Sequence, residues 1–94
     1  MDKTFTLRIR EDLYNQLRIQ SEFLGIPIAA IIKFELYKLK NVNLTIIETD
    51  NNNCTRMSIK FPEHFFELIS ENAKLYNTSI NQYINSIIYY FLNN

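Results

Sequence analysis

Residues 4–10 alternate polar and apolar side chains, with Thr4, Thr6 and Arg8 on one side and Phe5, Leu7 and Ile9 on the other. A period of two predicts a β-strand with one exposed and one buried face. The same alternation returns at 56–62, where Arg56, Ser58 and Lys60 face outward and Met57, Ile59 and Phe61 inward. After each strand the period changes to that of a helix. Leu13 and Leu17, then Phe65 and Ile69, stand at i, i+4, as one apolar helix face requires. A second stripe follows at Ile28, Ile32 and Leu36, matched by Ile80, Ile84 and Ile88. Between the stripes fall Gly25 and Asn77, the residue types that best accept a left-handed backbone at a helix end. Every one of these correspondences holds at an offset of 52 residues. The pattern predicts strand, helix, stop, helix, twice over. The helices are expected at about Glu11–Leu24 and Pro27–Lys40, then Glu63–Tyr76 and Ile80–Leu92.

The helix ends agree with this reading. Glu11, Asp12 and Glu63 suit the positive end of a helix dipole, and Pro62 stands at a start where its missing N–H costs little. Ser79 and Gln82 form a predicted capping box, with Gln82 reaching back to its cap. Ile26-Pro27-Ile28 has no such side chain, a loss of about 1 kcal/mol. The chain therefore divides into a first repeat at 1–41, a linker at 42–54 and a second repeat at 55–94. Asn51, Asn52 and Asn53 mark the linker, and Asn93 and Asn94 the end of the second repeat. Val42, Leu44 and Ile46 alternate with Asn43 and Thr45, which predicts a short extra strand or a segment laid along a partner. Extended, this connection reaches roughly 40 Å, enough to return the chain to a second strand beside the first.

One strand and two helices cannot bury their apolar faces alone, and a lone strand has unpaired edges. Two such units solve both problems. The expected fold is α+β and mostly helical: a two-stranded antiparallel ribbon over a four-helix core. A pseudo-dimer within one chain is favoured over pairing between chains. The ribbon would present Thr4, Thr6, Arg8, Arg56, Ser58 and Lys60, all able to hydrogen-bond base edges, and a two-stranded ribbon fits the DNA major groove.

Thr4–Ile32 and Arg56–Ile84 resemble the ribbon-helix-helix family of the Arc, MetJ and CopG repressors. The resemblance extends to the tandem forms, such as the conjugation accessory protein TraY and regulators of archaeal viruses. It implies that the six outward strand residues read bases, and that backbone N–H groups at the start of each second helix hold a phosphate. Those positions are Ile28 and Ala29 in the first repeat and Ser79, Ile80 and Asn81 in the second, with Lys3 as a further phosphate contact. The first repeat departs from the family here, since Pro27 removes an N–H and no hydroxyl is present.

The formal net charge is zero, which lends no general affinity for nucleic acid. Its distribution matters more: residues 1–41 carry +2 and residues 42–94 carry −2. No apolar run is long enough to cross a bilayer, and no leader is apparent, so no membrane partner and a cytoplasmic or host-cell interior location are expected. Cys54 reads as an incidental linker thiol. His64 lacks partners at metal-ligand spacing, and Glu63, Glu67 and Glu71 read as a solvated stripe. Tyr37, Tyr83, Tyr89, Tyr90 and Phe91 enrich the second helices, as core or oligomer packing would. No Gly-rich phosphate loop or catalytic constellation appears, so no enzyme, cofactor or small-molecule substrate is expected.

The functional expectation is a sequence-specific transcriptional regulator, a repressor rather than an activator, bound to double-stranded DNA as a pseudo-dimer or a homo-oligomer of pseudo-dimers. A DNA-organising or conjugation accessory factor would use the same surface with less specificity. An antitoxin-like interaction module is the reading from another class. The chain's end just after the last helix counts against that reading.

Overall fold

The computed structural model describes residues 1–49 and 51–93. The fold is a small α+β arrangement, mostly helical, with one two-stranded antiparallel sheet and four α-helices. Strand β1 spans Asp2–Arg10 and runs directly into α1, Glu11–Leu24; α2 follows at Ile28–Lys38. A 3-10 turn at Asn51–Asn53 leads into β2, Cys54–Pro62, then α3 at Glu63–Leu75 and α4 at Ile80–Asn93.

The two strands pair with each other along their full length. Thr6 lies opposite Ser58, its own counterpart at the 52-residue offset, and Thr4 and Arg8 lie opposite Lys60 and Arg56. The ribbon is thus centred on a pair of equivalent positions, as a pseudo-twofold axis between the halves requires. Its inner face contributes Leu7, Ile9, Ile59 and Phe61, all essentially solvent-free. Below it lie Leu13, Leu17, Ile32 and Leu36 from the first half and Ile69, Ala73, Ile84 and Ile88 from the second. The predicted stripes are therefore the faces that meet in one core. Phe61 sits between Phe65 and Phe66, with ring centroids 5.9 and 6.0 Å away.

Both first helices end where the sequence placed their stops. Gly25 has φ 69° and its N–H donates to Ser21 O; Asn77 has φ 56° and donates to Lys74 O. An Asn can hold this conformation where most L residues cannot, because its short polar side chain tolerates it. At the head of α1, Arg10 and Asp12 form a 2.6 Å ion pair. The hydrogen bond from Arg10 holds the Asp12 carboxyl below its usual range.

Several boundaries differ from expectation. Each strand begins two residues earlier than its alternation showed. Cys54 consequently opens β2, opposite Arg10, and is not a linker residue. Helix α2 excludes Pro27, which is its N-cap, and stops at Lys38, because Val42 N–H turns back to Leu39 O and directs the chain away. Gln82 N–H does donate to Ser79 Oγ at 3.1 Å, but the Gln82 side chain accepts from Thr78 Oγ1 at 2.8 Å and does not reach back to Ser79. Residues 42–49 form no strand. They run as an irregular strap whose backbone bonds to side-chain hydroxyls: Leu44 N–H donates to Tyr76 Oη, Tyr76 O–H donates to Val42 O, and Ile47 N–H donates to Ser86 Oγ. The expected short extra strand is not formed; the segment lies against Tyr76 and α4 of the same chain. The readings of Asp50 as linker and Asn94 as the end of the second repeat fall outside the described residues.

Candidate nucleic-acid interface

All six outward strand residues, Thr4, Thr6, Arg8, Arg56, Ser58 and Lys60, are exposed, and the register gathers them on one face. Arg8 turns its N–H and C=O away from β2, since both bond to side chains of α4. The outward pairs are therefore the non-hydrogen-bonded ones, in which opposing side chains stand closest. The result is a row of three adjacent pairs: Thr4 with Lys60, Thr6 with Ser58, Arg8 with Arg56. Arg8 and Arg56 stand directly opposite at one end, a like-charge pairing of the kind that disfavours a sheet and favours an anion. Among the described residues, Arg8, Arg56 and Lys60 have no salt-bridge partner, whereas Arg10 and Arg18 have Asp12 and Glu22.

The ribbon's two edges are held differently. On the β1 edge, Asn81 and Asn85 of α4 clamp the backbone. Arg8 N–H donates to Asn81 Oδ1 at 2.8 Å, and Arg10 N–H donates to Asn85 Oδ1 at 2.9 Å. Both amide nitrogens donate to Arg8 O at 3.0 Å, and Asn85 Nδ2 also donates to Asn81 O at 2.9 Å. On the β2 edge the counterpart of Asn85 is Lys33, whose ammonium donates to Lys60 O at 3.1 Å. A lysine can only donate, and here that suffices, because the counterpart of Arg10 is Pro62, which has no N–H to satisfy. The clamp is absent from the sequence reading, which assigned Asn81 only through its backbone. Its signal was present: two Asn at i, i+4 on a helix whose Ile84, Ile87 and Ile88 are core residues.

The helix starts lie beside the ribbon because of these bonds. At α4, Ser79 caps the turn, and Ile80 and Asn81 carry N–H groups that a helix start leaves without an intrahelical acceptor. At α2, Pro27 O accepts from Ala30 and Ile31, no side chain caps the end, and Ile28 and Ala29 are half-buried. Lys3 does not join the outward row. It has the parity of the inward set, lies opposite Phe61, and borders a depression with Glu63, Glu67 and Glu71 at the ribbon's end. Those three glutamates are exposed. Of the aromatic residues, Tyr83 is buried, whereas Tyr37 and Tyr89 are exposed. No helix among the described residues is long and apolar enough to cross a membrane. Compared with protein-family models, curated proteins and solved structures, the chain matches none.

Proposed function

We propose that this chain is a tandem ribbon-helix-helix protein that binds double-stranded DNA as an intramolecular pseudo-dimer and regulates transcription. The register carries the reading. It places six polar or cationic side chains, three of them charged, in one exposed row at the width of a two-stranded ribbon, and such a ribbon enters the major groove. Thr4, Thr6, Arg8, Arg56, Ser58 and Lys60 contact base edges. The N–H groups of Ile80 and Asn81, with Ser79, take a phosphate at one flank, since a helix N-terminus attracts anions. Ile28 and Ala29 do the same at the other flank, more weakly. The ribbon carries an Arg pair at one end and Thr with Lys at the other, so its preferred site is asymmetric rather than palindromic.

Arg8→Ala and Lys60→Ala test this on DNA from around the chain's own gene. Each is expected to weaken specific binding by about 1–3 kcal/mol while leaving thermal stability nearly unchanged, since both side chains are exposed. Unaltered affinity and selectivity in both variants would rule the ribbon mechanism out. Loss of affinity without loss of selectivity, with a steep salt dependence, would favour an accessory DNA-organising role.

A further inference from the structure

The two halves differ in what covers their helices. In the second half the strap lies over α3 and α4, fixed by Tyr76 and Ser86, and Leu44 is 7% exposed. The 52-residue offset carries Tyr76 to Leu24 and Ser86 to Phe34. At that place the first half has an open cleft of ≈ 420 Å³, lined by the apolar Leu24, Ile26, Ile31, Phe34 and, from α4, Phe91, together with Gln20 and Glu35. The uncovered half also carries the exposed apolar surface. Ile19, Leu24, Ile26, Phe34 and Tyr37 are all exposed in or beside α1 and α2, as is Phe23, at 88%. Leu75 and Tyr89 are the large apolar side chains so exposed on α3 and α4. Of these, Leu24, Ile26 and Phe34 are brought together by the cleft, and a contiguous apolar surface of this kind marks an interaction site more often than scattered residues do.

We infer that this cleft docks an apolar peptide segment of a partner protein. The occupant is argued from the strap, which shows what the equivalent groove accepts: an irregular segment that buries Leu44 and half-buries Val42, Ile46 and Ile47. The chemistry of the two grooves differs in one respect. Tyr76 and Ser86 hold the strap by its backbone, whereas Leu24 and Phe34 offer no hydrogen bond. Affinity in the first half therefore comes from buried side chains, and the ligand needs bulky Leu, Ile or Phe. Glu35, which lines the cleft, is paired with Lys38 at 3.5 Å. The inference does not rest on DNA binding.

The probe is a synthetic peptide of residues 42–49, titrated into the isotope-labelled full chain, with a control peptide in which Leu44, Ile46 and Ile47 are replaced by Ser. The expected result is saturable chemical-shift change at Leu24, Ile26, Ala30 and Phe34, none with the control peptide, and binding weakened roughly tenfold or more by Phe34→Glu. Phe34 is 62% exposed, so this variant keeps the core, and Leu24→Glu at 54% exposed provides a second. Three results would overturn the inference: no saturation with the strap peptide, changes confined to Tyr76 and Ser86, or self-association of the chain that closes the Leu24–Phe34 face without peptide.

Discussion

Phe61→Ala is expected to lower the unfolding free energy by about 3–5 kcal/mol, the range for removing a buried aromatic ring. Phe61 is fully buried under the ribbon and closes the contact between β2 and α3 through Phe65 and Phe66. Phe5 reaches the same cluster across the sheet, with its ring 6.0 Å from Phe66. The loss is therefore shared by both strands, and the site cannot collapse without shifting the ribbon. A domain of this size has a total stability of roughly 5–15 kcal/mol, so the variant keeps only a modest margin. Urea unfolding followed by circular dichroism measures it: the midpoint should fall sharply with the slope nearly unchanged. Phe61→Leu, which keeps much of the volume, should lose markedly less. A Phe61→Ala midpoint within experimental scatter of the parent would mean that the ribbon is not seated on this core.

Asn85→Ala should cost about 1–3 kcal/mol, although only a small polar side chain is removed. Asn85 has no exposed surface and accepts from Arg10 N–H while donating to Arg8 O and Asn81 O. The alanine leaves Arg10 N–H without its acceptor at a part-buried edge, and an unmade bond of this kind costs more than a made one contributes. Thermal unfolding should fall by roughly 4–24 °C, given about 4–8 °C per kcal/mol for a chain this short. Asn85→Asp separates the geometry from the loss of volume. It keeps an acceptor for Arg10 N–H but turns a carboxylate oxygen toward two carbonyl oxygens. Its protonated form can donate there, so the folded state raises the carboxyl's pKa. Stability in that variant should be recovered as pH falls and lost as pH rises through the raised value. DNA binding should weaken in Asn85→Ala beyond what instability explains, because Arg8 is anchored through the same carbonyl.

The elements were legible because their periodicities are clean. Phe5, Leu7 and Ile9 could only be one face of a strand, and the repeat at 52 residues located the second copy of everything the first contained. The register was not legible: a twofold axis between equivalent strands requires only that some residue face its own counterpart, and the pattern does not single out Thr6 with Ser58. What also escaped the sequence were interactions that break the repeat. Asn81 and Asn85 correspond to Ala29 and Lys33, and nothing in a periodic pattern shows that two amides will face a strand edge. Lys3 looked like a cation near DNA, but a strand turns each successive side chain over, and parity sends it toward Glu63 and Glu67. The strap alternates as a strand does, yet Tyr76 and Ser86 supply its hydrogen bonds, so no partner strand is needed. The exposed Phe34 could not be told from a core residue until the uncovered groove was seen.

Titrating the labelled chain with duplex DNA that carries its preferred site tests the central claim most directly. Chemical-shift changes should centre on Thr4, Thr6, Arg8, Arg56, Ser58 and Lys60, with a second group at Ser79–Asn81, at a stoichiometry that brings β1 and β2 of the same chain to one site. Changes confined to α1 and α3, or a ribbon face that stays silent while DNA binds, would contradict it.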